Sequence, residues 1–345
     1  MGSPRVKLKL ASRAPLVLVL SAIGVFLAAV LGGIPGSVAD AYARNIFPRI
    51  SSGLAPIGGL IAVSWIDILI PLLLLTGVFL IYLRRPMALA GLLGAGYLFF
   101  FFSWGVNYQR SPLETRLDYR VDAVTDAAVR ALVDEAAASL NAMYADRPAS
   151  TMSPAELERV ADQRVRQVVR AIDGVPVTAW GVPPVKRSRL LDPFFRAGSV
   201  DGMFNPFWHE AIVTSSVLWF ERPATLMHEL AHLRGYAREG EANFIALLAG
   251  IGADHPELRY SGWQLLWMYV ATPENNRLLD AGPRRDLDAI RRRIQQAEVE
   301  WVNRTQRRTF DTFLRANRVP EGVRSYAEIV RLAAGTRHAW DRFGD

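Results

Sequence analysis

Cysteine is absent from the 345 residues, which excludes both a disulfide framework and a metal site built on thiolates. Its absence leaves the compartment unread. Histidine is scarce, with five residues in the whole chain, so any imidazole chemistry must draw on that handful. No internal repeat or low-complexity segment is present. No basic run is interleaved with aromatics either, so a nucleic-acid partner is not expected despite a net charge of +7 and an isoelectric point near 9.9. The surplus of Arg reads as solvated helix faces with some attraction to anionic lipid headgroups. Long apolar runs, by contrast, are plentiful. With 51% hydrophobic residues and a mean hydropathy of +0.13, the composition predicts membrane segments plus one globular domain.

Residues 1–14 carry Arg5, Lys7, Lys9 and Arg13 and lead into an apolar run from Pro15 to Gly33. That length suits a retained membrane span better than a cleaved leader, although Val38-Ala39-Asp40-Ala41 resembles a cleavage site. Between 34 and 65, breakers such as Pro35, Pro48, Gly53 and Pro56 leave no room for a spanning helix, and the segment is expected to lie along the outer interface. A second span is expected from Ile66 to Leu83, with Asp67 at its outer boundary, where a carboxylate costs little. A third runs from Pro86 to Val106 and ends in an aromatic belt, Phe99 to Phe102 and Trp104. The positive-inside rule puts the basic N-terminus and Arg84-Arg85 in the cytoplasm, leaving the chain after Tyr108 outside.

From Gln109 the composition becomes that of a soluble domain. An amphipathic helix is predicted over 122–145, and a second starts at the capping box Ser153-Pro154-Ala155-Glu156 and stops near Asp173-Gly174. Short runs between Val175 and Phe220 read as strands of a small sheet. Residues 211–218 are expected to form an edge strand on the substrate side, with a plain core strand as the alternative, and His209-Glu210 a surface pair ahead of a role in substrate or metal binding. Further helices are predicted over 241–252, from Tyr260, over 283–317 as one or two, and over 322–334. The fold class is therefore α+β, mostly helical: a membrane domain of about three transmembrane helices over 1–108, then an extracytoplasmic domain over 109–345 with a small sheet.

One stretch carries chemistry: His228-Glu229-Leu230-Ala231-His232. On a helix, residues i and i+4 share a face, so the two imidazoles converge on one point. Such a point suits Zn2+, and a catalytic zinc needs a third protein ligand. Glu229 would stand beside the metal, placed to take a proton from the attacking water. Arg238 occupies the position where one zinc-peptidase class has a third histidine and cannot bind a metal, which excludes that class. Glu239 and Glu241 each offer a carboxylate instead. Glu239 is favoured because it shares a face with Asn243, which would hydrogen-bond a liganding histidine. Gly235 would let the chain double back past the helix end. For the developing oxyanion, Tyr236, His255, Tyr260 and Tyr326 are candidates of equal standing.

Glu-x-x-Ala-Asn after HExxH resembles the third-ligand segment of gluzincins, the thermolysin-like zinc peptidases. More widely, the chain is similar to a family of uncharacterised bacterial membrane proteins with a gluzincin-like domain. The stretches that carry this resemblance are Trp104 to Tyr108, Gly202 to Phe207, His228 to Phe244, Tyr260-Ser261-Gly262, Phe313 to Asn317 and Gly322 to Tyr326. The resemblance implies a membrane-anchored zinc metallopeptidase acting on a peptide or protein substrate. It implies a bacterial inner membrane, with the N-terminus cytoplasmic and the zincin-like domain periplasmic or extracellular. A non-catalytic binding protein that keeps the zinc fold is the alternative, and the intact Glu229 argues against it.

Overall fold

Long apolar runs build the first helices of the structure, a computed structural model that describes residues 4–146, 152–176, 184–317, 319 and 328–343, with backbone alone at 4–12 and 145–146. Helix α1 (Pro4–Val30) packs along α5 (Pro86–Ser103), with Pro15 against Gly91 and Leu18 against Gly94. The two helices therefore run in the same direction. Between them lie α2 (Gly36–Asn45), α3 (Phe47–Gly58) and α4 (Ile66–Tyr82). Among the described residues, two helices hold an 18-residue window apolar enough to cross a membrane, Arg13–Val30 and Pro86–Ser103, while the apolar α4 has 17 residues.

The 34–65 connection differs from expectation. Its breakers do prevent a spanning helix, but α2 and α3 fold onto the following domain, where Phe47 is fully buried with Trp104, Tyr108, Leu233 and Ala237. Asp67 starts α4 and is held by that domain: its carboxylate accepts from the Ser188 hydroxyl and from the backbone N–H of Arg189 (2.8 Å) and Leu190 (3.2 Å). Where α5 ends, Ser103 Oγ donates to the Pro206 carbonyl (3.5 Å) and Phe99 stacks on Phe207. Both contacts lie at the same end of α4 and α5, so Arg84-Arg85 and the start of α1 lie at the opposite one.

In the remainder, α6 (Asp126–Asp146) and α7 (Pro154–Asp173) follow, the latter capped as predicted by Ser153 Oγ accepting from Glu156 N–H at 3.2 Å and ended by Gly174. Strand β1 (Val185–Lys186), helix α8 (Asp192–Ala197), β2 (Gly202–Asn205) and β3 (Glu210–Val213) come next, then α9 (Arg222–Leu233), α10 (Glu239–Ile251) and α11 (Pro256–Val270). The Arg-rich tail forms two helices, α12 (Ala281–Ala297) and α13 (Glu300–Ala316). The last, α14 (Glu328–Thr336), covers the second half of the segment predicted over 322–334, whose first part, with Tyr326, lies outside the described residues.

Sheet order is β1-β3-β2, parallel between β1 and β3 and antiparallel between β3 and β2. This corrects the expected edge strand over 211–218: β3 stops at Val213 and is central, so both its backbone edges are already paired. Alternation alone cannot distinguish a central strand from an edge one, because either can carry it. Helix α10 is buried from Glu239 to Gly250 and is apolar on nearly every side, as a helix without a solvent face must be. Around it pack α7 with Val165 and Val168, α9 with Leu226 and Leu230, α11 with Leu266 and Trp267, and α14 with Leu332, while α6 adds Leu132 and Leu140 to the same core by packing on α11.

Candidate metal centre

Helix α9 has Pro223 in its first turn, where its missing N–H costs nothing, and its apolar face (Leu226, Met227, Leu230, Leu233) faces the core. That anchoring leaves His228 and His232 on the other side. The turn after α9 depends on Gly235, whose φ of +86° is costly for any residue with a Cβ. Its N–H bonds His232 O at 2.8 Å, Tyr236 N–H bonds Ala231 O at 3.2 Å, and the chain reverses directly into α10. Arg110 braces this reversal by donating to the Gly235 carbonyl at 3.1 Å. Its guanidinium also meets Asp173 at 2.7 Å, and the Tyr236 hydroxyl donates to the same carboxylate at 2.9 Å.

The reversal brings Glu239 onto the two histidines. Glu239 Oε2 lies 3.1 Å from His228 Nε2 and 3.4 Å from His232 Nε2, and the two Nε2 atoms are 3.1 Å apart. For donors bound tetrahedrally at about 2.0–2.1 Å, neighbouring ligand atoms are separated by roughly 3.3 Å, so this triangle has the size a zinc ion requires. Among the described residues no other His, Asp and Glu trio converges in this way. The His232 ring is fixed in orientation: Nδ1–H donates to the Tyr236 carbonyl at 2.7 Å, which turns Nε2 toward the centre. Trp104, the residue that ends α5, packs edge-on against the His232 ring at 6.2 Å between centroids.

Two residues further on, Glu241 points elsewhere. It accepts from Leu113 N–H at 2.9 Å and pairs with Arg116 at 3.5 Å, so of the two carboxylates only that of Glu239 lies with the histidines. Asn243 does not reach a histidine as expected. Its Nδ2 donates to the Tyr269 hydroxyl at 2.8 Å, and His228 Nδ1 has no hydrogen-bond partner among the described residues.

Glu229 is 4% exposed and lies against Gly202 of β2, with Oε2 lacking a hydrogen-bond partner among the described residues. Burial pushes its carboxyl up to about 7; His228 and His232 oppose this, while Glu239 and Asp201 add to it. Burial works against charge on His232 too, but the Glu239 carboxylate outweighs it and holds the imidazole up at about 9. Glu239 itself is held well below the usual carboxylate range, because the two imidazoles overcome its desolvation. A cation held by this trio would take the place of the proton that His232 shares with Glu239.

The oxyanion candidates divide. Tyr236 and Tyr260 are buried and spend their hydroxyls on Asp173 and, at 2.6 Å, on Asp286. His255 caps α11, and Tyr326 lies outside the described residues. The tyrosines nearer the centre are Tyr108 and Tyr269: burial raises the pKa of each, and the charge of Glu239 raises it further. Neither was a candidate in the sequence, where Tyr108 figures only in the Trp104 to Tyr108 stretch and Tyr269 falls within the helix expected from Tyr260. The His209-Glu210 pair is corrected from surface to fully buried. Glu210 pairs with Lys186 at 2.7 Å and accepts from Ser64 Oγ, Trp65 N–H and Asn205 Nδ2, which ties the sheet to the start of α4.

Residues 42–334 match the family described as Protein of unknown function (DUF3810). The chain belongs to that family. The DUF3810 match begins in α2 and ends in α14, so it includes α4, α5, the sheet and the His228, His232 and Glu239 trio. No curated protein and no solved structure matches this DUF3810 chain.

Proposed function

We propose that the chain is a membrane-anchored zinc-dependent metallopeptidase with a gluzincin-like centre, hydrolysing peptide bonds outside the cytoplasm. The observation that carries this reading is the 3.1 to 3.4 Å triangle of His228, His232 and Glu239 donors with Glu229 beside it and outside it. A zinc ion bound there would supply Lewis acidity toward the scissile carbonyl and toward water. The protein's own work is then proton movement and alignment. Glu229, dry and next to the trio, takes the proton of the attacking water and returns it to the leaving nitrogen. The Tyr236 carbonyl keeps His232 in the ligand tautomer. Strand β2, an edge of the sheet bearing Gly202 against Glu229, is the element on which an extended peptide can pair through its backbone.

Anchoring follows from the placement of the apolar helices. The basic start of the chain and Arg84-Arg85 share one end of the bundle, and the domain occupies the other, in keeping with a cytoplasmic N-terminus and an exterior domain. The decisive experiment uses the full chain purified in detergent. It should hold about one zinc per chain, removable by a chelator, and Glu229→Gln should keep that zinc while hydrolysis falls by roughly 10²- to 10⁴-fold. A protein without stoichiometric zinc, or a Glu229→Gln variant that cleaves as well as wild type, refutes the proposal.

A further inference from the structure

One residue upstream of Gly202, the surroundings of Glu229 turn basic. Asp201 is gripped by Arg293, with Nη1 at 2.7 Å and Nη2 at 3.2 Å, and Nη2 also meets Glu221 at 2.8 Å. Arg293 in turn lines a cavity of about 370 Å³ between α8 and α12, together with Arg196, Arg292 and Ser216. Leu218 and Ala289 supply apolar wall. Asp201 and Glu221 consume the charge of Arg293, but Arg196 and Arg292 have no carboxylate within ion-pair distance among the described residues. Three guanidiniums against two carboxylates leave this region one positive charge in excess.

We propose that this cavity is a subsite for a carboxylate of the substrate, held by the guanidiniums of Arg196 and Arg292 while its aliphatic stem lies on Leu218 and Ala289; the inference rests on the peptidase reading. Guanidinium groups bind carboxylates through paired, parallel N–H bonds, a geometry that a point charge such as lysine does not reproduce. The route from cavity to base is short: Arg293 holds Asp201, Asp201 precedes Gly202, and Gly202 touches Glu229. A peptide lying along β2 would therefore present an acidic side chain, or its terminal carboxylate, to the cavity while its backbone passes Glu229.

Equilibrium binding to full-length Glu229→Gln protein in detergent tests this without turnover. Three labelled peptides of one backbone serve as probes: one with an internal Glu and an amidated end, one with Gln and a free end, and one with Gln and an amidated end. At least one anionic form should bind about tenfold more tightly than the neutral form, and which one does so identifies the source of the carboxylate. Arg196→Gln/Arg292→Gln should bring that ratio to about one. Glutarate alone should raise the melting temperature of the wild type and not of the double variant. The subsite is overturned if the double variant keeps the ratio, if no anionic form is preferred, or if glutarate acts on both proteins alike. Anion preference in a protein that never hydrolyses any peptide sinks the peptidase reading and leaves the subsite standing. Hydrolysis without charge preference does the reverse.

Discussion

Helices α4 and α10 are both strongly apolar, yet they sit in opposite surroundings. No residue of α4 is buried, and Leu74 (66%), Leu75 (69%) and Ile81 (66%) are among its exposed side chains. In α10 every residue from Glu239 to Gly250 is buried by other parts of the same chain. Apolar content therefore states a requirement for cover and not its source. For α10 the protein supplies that cover, and with it the dry setting that shifts Glu229 and orders the histidines. For α4 the proposed anchoring assigns that cover to a bilayer.

The sharpest way to break this contrast is to put the same charge into both helices. Leu247→Asp, at a fully buried position of α10, should cost about 4 kcal/mol or more through an unpaired interior carboxylate, seen as loss of the cooperative melt in detergent. Leu74→Asp in α4 should cost roughly 3 kcal/mol of membrane insertion, read as loss of chain from the membrane fraction. If α4 merely faced water, that substitution would change neither insertion nor melting.

A pH series sharpens the comparison from the self-covered side, which encloses charges as well as apolar groups. Burial acts to raise the pKa of Asp173, but Arg110 and Arg116 outweigh it and lower it from 3.8 to about 2. A depressed carboxylate stabilises the fold above its unfolded pKa, and that contribution, roughly 2 kcal/mol, is lost as pH falls from about 4 through 2. Denaturation between pH 5 and 2 should therefore show Asp173→Asn taking up about one proton fewer on unfolding than wild type. Equal proton uptake would show that the two arginines do not hold the group. The smallest effect belongs to Gly235→Ala. A Cβ there would lie 3.0 Å from Asn107 Oδ1 at a φ of +86°, costing about 1–2 kcal/mol. Because this residue sets the approach of α10 to α9, zinc affinity should fall along with the melting temperature.

Local spacing made the candidate centre legible to a considerable degree. His228 and His232 one turn apart, Gly235 past the helix end and Glu239 four residues before Asn243 are all short-range patterns. The groups that surround them come from far along the chain and leave no such mark. Trp104 walls His232 and Gly202 touches Glu229 only after folding, and Asn243 found Tyr269 in place of a histidine. His209-Glu210 read as a surface pair because its partners Lys186, Ser64 and Trp65 are invisible to any local window. The sheet order is a pairing between segments, so the interior place of β3 could not be read from its own residues. Helix positions fared better, since period and caps are local.

All three donor atoms come from the twelve residues between His228 and Glu239. Closing so short a link carries little entropic penalty, whereas bringing in Trp104 or Asp201 requires loops several times longer. The cradle can therefore assemble early, while much of the chain is still finding its partners, and its walls arrive later. An ion captured at that stage would act as a nucleus for the domain, tying metal supply to the yield of folded protein.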